Sequence, residues 1–150
     1  FDLGADLSNP LAANPEFVPL RVTQDYIDRL EGWCDHFGDP LPKLRSFILP
    51  GGTPAAAYLH IARTVTRRAE RSAWQAVGIY GTDEAGPASS GGLSLLAIRY
   101  LNRLSDLLFI LTRVVNGTSS EVLWTPGGER PRPDKKTPTA DHPADEDRLR

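Results

Sequence analysis

Apolar residues recur at intervals of three and four along three long stretches of the chain, the period of a helix that buries one face. The first stretch is Gln24 to Phe37, with Ile27, Leu30, Cys34 and Phe37 on the apolar side; Thr23 stands at its N-cap and Gly38-Asp39-Pro40 ends it. The second opens at Thr53 with Pro54 in the first helical position and runs to about Gln75, with Leu59, Ala62, Ala69 and Ala73 forming a small-residue seam. The third spans residues 93–115 with Ala97, Leu101, Leu104, Leu108, Leu111 and Val115 as its buried stripe, and Asn116-Gly117 stops it. Residues 1–7 look like the last turns of a further helix, stopped by Ser8-Asn9-Pro10. Three prolines mark 10–22 as a surface loop, and five glycines mark 78–92 as a flexible connection. Phe47-Ile48-Leu49 sits in a short connection, and Glu121 to Trp124 reads as an extended piece docked on the helices. From Thr125 onward there are five prolines and almost no apolar residues, which predicts a disordered or extended tail. The pattern predicts an all-α antiparallel helical bundle over 1–124 and a Pro-rich charged tail over 125–150.

Charge changes this picture only locally. The chain of 150 residues carries 17 basic and 19 acidic side chains, a net −2, which argues against a general nucleic-acid binder. Four arginines nevertheless crowd between Ala62 and Arg71, where the local charge is +3. No apolar run approaches the length that spans a bilayer, and the single Cys34 permits neither an intrachain disulfide nor a cysteine metal cluster. The absence of methionine means that the sequence does not open at a translation start, so a preceding segment is expected upstream of Phe1.

Arg63, Arg67 and Arg71 stand four apart and share a helical face. Either they form a solvated face with Arg67 pairing Glu70, or they meet an anion such as a polyphosphate, whose oxygens the guanidinium fork matches. Asn102, Asp106 and Arg113 lie along one side of the third helix. Asp106 either pairs with Arg103 or Arg113 in a solvated strip, or faces the arginine helix together with Asn102, whose amide then reads a ligand's hydroxyl or ring nitrogen. Pro50-Gly51-Gly52-Thr53 reads as a tight turn with an N-cap more readily than as an anion site. The histidines at 36, 60 and 142 are scattered, and His60 reads as a packed residue. No nucleophile–base arrangement and no metal-ligand spacing emerges.

Three segments taken in order carry a resemblance. They are Phe47-Ile-Leu-Pro-Gly-Gly52, then Leu59-His60-x-Ala62-Arg63-x-x-x-Arg67-Arg68-Ala69-Glu70-Arg71, then Leu101-Asn102-Arg103-Leu104-Ser105-Asp106-x-Leu108-Phe109. Together they closely resemble the ATP:cob(I)alamin adenosyltransferases of the propanediol-utilisation type, over roughly residues 1–124. The resemblance implies a homotrimer of ferritin-like helical bundles with an active site at each subunit interface. It implies transfer of the 5′-deoxyadenosyl group of ATP to Co(I) of a reduced corrinoid, releasing triphosphate. Cobalt is itself the nucleophile, and no catalytic protein base is expected. Arg67, Arg68, Glu70, Arg71 and Asn102 fall at ATP-binding positions, Arg63 at a supporting arginine that pairs with an N-terminal aspartate, and Phe47 at the aromatic that lies against the corrin. The implied ligands are ATP with Mg2+ and cobalamin. The implied setting is cytoplasmic, with a flavoprotein reductase or a cobalamin-dependent mutase as protein partner and neither nucleic acid nor membrane.

The sequence also departs from that family. Its triphosphate-binding stretch of the type Thr-Gly-Asp-x-Gly-x-Thr does not occur here, residues 78–92 exceed the usual connection, and the tail has no counterpart. The expectation is that these 150 residues alone are inactive. The alternative is a truncated, non-catalytic helical module that binds corrinoid or a partner protein.

Overall fold

The computed structural model describes residues 1–85, 91–117 and 121–129. Four helices form: α1 (Asp2–Leu7), α2 (Gln24–Gly38), α3 (Pro54–Tyr80) and α4 (Leu95–Asn116), with a 3-10 turn at Gly127–Glu129. Among the described residues there is no sheet, only two isolated bridges, Ala12 with Ala85 and Ile48 with Leu123. The expected tail beyond residue 129 and the middle of the glycine-rich loop, 86–90, lie outside the described residues.

The ends of α3 and α4 follow from local chemistry. Thr53 Oγ1 accepts the Ala56 N–H at 3.2 Å, and Pro54 occupies the first turn, where its missing N–H costs nothing. Gly81 (φ 76°) and Gly117 (φ 65°) take the left-handed backbone that ends α3 and α4. Thr23 holds the N-cap of α2 without a side-chain capping bond. α3 runs five residues past its expected end at Gln75 because Val77 still packs on the core and Gly78 is tolerated inside the helix.

α4 lies between α2 and α3 and touches α1. α3 and α4 are antiparallel: Gly81 and Leu93 are bonded at one end of the pair, and Thr53 meets Asn116 at the other. α2 runs alongside α4 in the same direction, with Gln24 bonded to Arg99 at its start and Gly38 close to Ile110 at its end. Ala73, Ile98 and Leu101 centre the core, joined by Leu3, Leu7, Ala69, Val77 and Leu93. The expected stripe on α4 is turned by about one position. Ala97, Ile98, Leu101, Ser105, Leu107, Thr112 and Arg113 are buried, while Leu104, Leu108 and Leu111 are half-buried and Val115 is exposed. A helix flanked on two sides buries more than one stripe, and toward its end α4 also meets the connections at Pro42, Gly51 and Glu121. The hydroxyls of Ser105 and Thr112 can be buried because each donates to a carbonyl one turn back, Asn102 at 2.8 Å and Phe109 at 2.6 Å.

The loop at 10–22 is tied down by one ion pair. The buried Asp6 carboxylate accepts from Arg21 Nη1 at 2.7 Å and from the Val22 N–H at 2.8 Å, and the same guanidinium donates to the Asn9 and Pro10 carbonyls.

Candidate functional site

Two adjoining regions of α3 hold the residues singled out by the sequence. The first is polar. Glu70 turns toward α4 and accepts from Asn102 Nδ2 at 3.0 Å, and Asn102 Oδ1 in turn accepts from Arg103 Nη2 at 2.8 Å. Arg103 also pairs with Asp106 at 2.7 Å. Glu70, Asn102 and Arg103 edge a cleft of about 330 Å3 that Glu31, Trp74, Ile98 and Arg99 complete. Because Glu70 is engaged across the helix pair, the pairing of Arg67 with Glu70 does not form. Arg67, Arg68 and Arg71 are exposed, and among the described residues no carboxylate lies within ion-pair distance of them; Arg71 Nη1 donates only to the Arg67 carbonyl at 3.1 Å. Asn102 does face the arginine helix, whereas Asp106 is held by Arg103 on its own helix. Arg113 leaves the expected polar strip altogether and is buried.

The second region is apolar. One turn before Arg67, the half-buried Arg63 lays its guanidinium over the Phe109 ring, 5.0 Å from the centroid. With His60 it forms one wall of a cleft of about 640 Å3, and Phe47, Ile48 and Pro50 form the other. Phe47 is 78% exposed and meets Trp124 edge-on at 6.2 Å. The backbone of the 47–49 connection pairs with the 122–124 segment, Leu49 N–H to Val122 O at 2.8 Å and Trp124 N–H to Phe47 O at 2.7 Å.

His60 is packed, as its helical position suggested, being only 6% exposed, and neither ring nitrogen has a hydrogen-bond partner. Burial first, and then the neighbouring Arg63 charge, push its pKa below the ordinary 6.5, so the imidazole is neutral at neutral pH. Burial pushes the Cys34 thiol up, with Asp106 adding to the effect, which keeps it protonated and unreactive. Among the described residues no three His, Cys, Asp or Glu side chains converge to hold a metal ion. At Gly51-Gly52-Thr53 the free N–H of Thr53 already donates to Asn116 Oδ1 at 2.9 Å, which favours the tight-turn reading over an anion site. His60 as a cleft wall, Phe109 and Trp124 were not identified as site residues from the sequence. For His60 the signal was available in its one-turn spacing from Arg63, and both His60 and Phe109 lie within the quoted motifs; for Trp124 nothing local pointed to Phe47.

A family model described as cobalamin adenosyltransferase matches residues 1–115, which contain all three motif segments. The chain belongs to the cobalamin adenosyltransferase family. Its similarity to a corrinoid adenosyltransferase of Mycobacterium tuberculosis is 60% identity over 130 residues, covering 87% of this chain and 62% of that relative. A cobalamin adenosyltransferase of Cupriavidus metallidurans is 44% identical over 126 residues, covering 83% of this chain and 59% of the relative. Among solved structures, a variant PduO-type ATP:corrinoid adenosyltransferase from Lactobacillus reuteri, complexed with cobalamin and ATP, aligns with a TM-score of 0.66 at 32% identity, over 83% of this chain and 61% of that one. The helical architecture matches this adenosyltransferase neighbour, and the propanediol-utilisation type expected from the motifs is the type it carries. The chain spans about three-fifths of the length of these relatives.

Proposed function

We propose that this chain is part of an ATP:corrinoid adenosyltransferase and supplies one polar and one apolar wall of its active site. The observation that carries the reading is the uncompensated arginine row beside the Glu70–Asn102 pair, with the apolar cleft of Phe47 one helical turn away. In the reaction the electron pair of Co(I) attacks C5′ of ATP, the Co–C bond forms, the C5′–O bond breaks, and triphosphate leaves with the bonding electrons. Charge accumulates on the phosphate oxygens, where Arg67, Arg68 and Arg71 would hold it with fork geometry. Asn102, oriented by Glu70, would hydrogen-bond the nucleoside. Arg63 supports the junction between the two walls. Phe47 would lie against the corrin face and keep water from the lower side of cobalt. Catalysis of this kind rests on positioning, so the lack of a paired nucleophile and base in the sequence is in keeping with it.

Assembly as a homotrimer belongs to the same proposal. Tyr58, Ile61 and Val65 form an exposed apolar face on α3 that a second copy would cover. A cytoplasmic setting and a reductase or mutase partner are carried by the same reading; no helix among the described residues is long and apolar enough to cross a membrane. The test is ATP-dependent conversion of reduced cobalamin to its adenosyl form, followed by the visible spectrum, with triphosphate as the co-product. Release of phosphate without a Co–C bond, or no dependence on ATP, would sink the reading.

A further inference from the structure

The connection carrying Phe47 has little to hold it. It runs from Pro42 to Thr53, its one aromatic is largely exposed, and its backbone pairing is a single isolated bridge to the 122–124 segment, supplemented by Ser46 Oγ donating to the Trp124 carbonyl at 2.9 Å. Two short strands paired this briefly are marginal in water. What fixes them is the last part of α4. Arg113 Nε donates to Glu121 Oε1 at 2.6 Å, Nη2 reaches Oε2 at 3.4 Å, and Nη2 also donates to the Pro42 carbonyl at 2.8 Å. The side chains of the pair are only 9% and 7% exposed. One guanidinium thus grips the start of the Phe47 connection and the start of the segment that pairs with it. About one turn later, Asn116 donates to the Gly51 carbonyl at 3.0 Å and accepts from the Thr53 N–H at 2.9 Å, closing the far end. Neither Arg113 nor Asn116 lines either cleft.

We propose that Arg113, through Glu121 and the Pro42 carbonyl, is a positioning residue that sets Phe47 over the apolar cleft and so tunes how the protein takes its corrinoid. The inference rests on the reading that Phe47 meets the corrinoid. Arginine suits the task because its rigid fork serves two carboxylate oxygens and a carbonyl together, which a lysine ammonium on a flexible stem cannot do in the same geometry. A buried pair of this kind is weak as a source of stability against an apolar alternative, so holding one arrangement is its better-supported use.

The test compares Arg113→Lys and the near-isosteric Glu121→Gln with Phe47→Ala in the active protein. Amide hydrogen exchange is followed by mass spectrometry, and KM is measured separately for reduced cobalamin and for ATP. In both tether variants, exchange in 46–49 and 122–124 should quicken while α3 and α4 stay protected. KM for the corrinoid should rise about tenfold, a modest loss for a misplaced positioning group, with KM for ATP within about twofold, under the ~1.4 kcal/mol that a tenfold change represents. Unchanged exchange overturns the tether. So does quickened exchange with an unchanged corrinoid KM, and so does an equal rise in both constants, which is the mark of general destabilisation. Impaired corrinoid use in Phe47→Ala with normal use in the tether variants overturns the tether alone. Normal corrinoid use in Phe47→Ala overturns the reading beneath it, whatever the exchange data show.

Discussion

The polar wall and the apolar wall are built in opposite ways. Glu70, Asn102 and the arginines project from two long antiparallel helices, so their relative positions are set by helical register and by packing along α3 and α4. Phe47 projects from an irregular connection whose place depends on side chains far along the chain, Arg113, Asn116 and Glu121. The first arrangement is rigid wherever the bundle is folded. The second can open without unfolding the bundle, since local opening costs less where few apolar contacts and few backbone bonds hold a segment. One wall therefore suits a small charged ligand that must be held in a fixed pose, and the other a bulky ligand that must enter.

Breaking the tether should produce the largest change. Glu121→Ala leaves Arg113 buried without its carboxylate and should cost about 3 kcal/mol, the low end for a broken buried pair, because the freed segment can admit water. Denaturant unfolding checks this; a loss below the error of the fit would mean that the pair is solvated. The rigid wall should respond differently. Arg67→Ala is expected to weaken ATP binding by roughly 1.5–3 kcal/mol, the scale of a hydrogen bond to a charged group, with no effect on the melting temperature. Titration calorimetry with ATP decides it, and unchanged affinity would return the arginines to a solvated face. Phe47→Ala should slow turnover several-fold while ATP affinity holds, because its side chain lines the other cleft. A fall in ATP affinity of the same size would show that the two walls are not separable.

The smallest effect expected concerns His60. Its folded pKa lies below the ordinary 6.5, so on acidification the unfolded chain takes up a proton that the folded chain resists. Stability is then fully present above 6.5 and declines as the pH falls below it, by at most about 1.4 kcal/mol per pH unit for one proton. Unfolding midpoints of the wild type and His60→Phe at about pH 7 and pH 5.5 should differ in slope. Parallel slopes would mean that the imidazole finds a partner.

Features governed by neighbours in sequence were legible from it. Thr53-Pro54 marked the start of α3, Asn116-Gly117 marked the end of α4, and the arginine cluster fell on a helix as its spacing indicated. Features governed by distant segments were not. Arg113 read as one of a polar strip because nothing near it in sequence reveals that Pro42 and Glu121 cover it. The stripe on α4 came out turned because a helix with neighbours on two sides buries serine and threonine as readily as leucine when their hydroxyls bond one turn back. Gly78 read as loop, although Val77 beside it packs on the core and carries α3 on to Tyr80.

The bond from Ser46 to Trp124 spans 78 positions, and its two neighbouring backbone bonds span nearly as many. That separation orders the birth of the protein. The α3–α4 pair closes over the one connection between Tyr80 and Leu95 and can form early, as contacts with low sequence separation do. The Phe47 connection is synthesised just before α3, yet the backbone that pairs with it arrives only with Val122 and Trp124. For the whole of that interval its aromatic side chain lacks the edge-on contact with Trp124. Completion of the apolar wall thus waits for the 122–124 segment, and a nascent chain halted before Glu121 would own the polar wall of α3 and α4 beside an unsupported Phe47 connection.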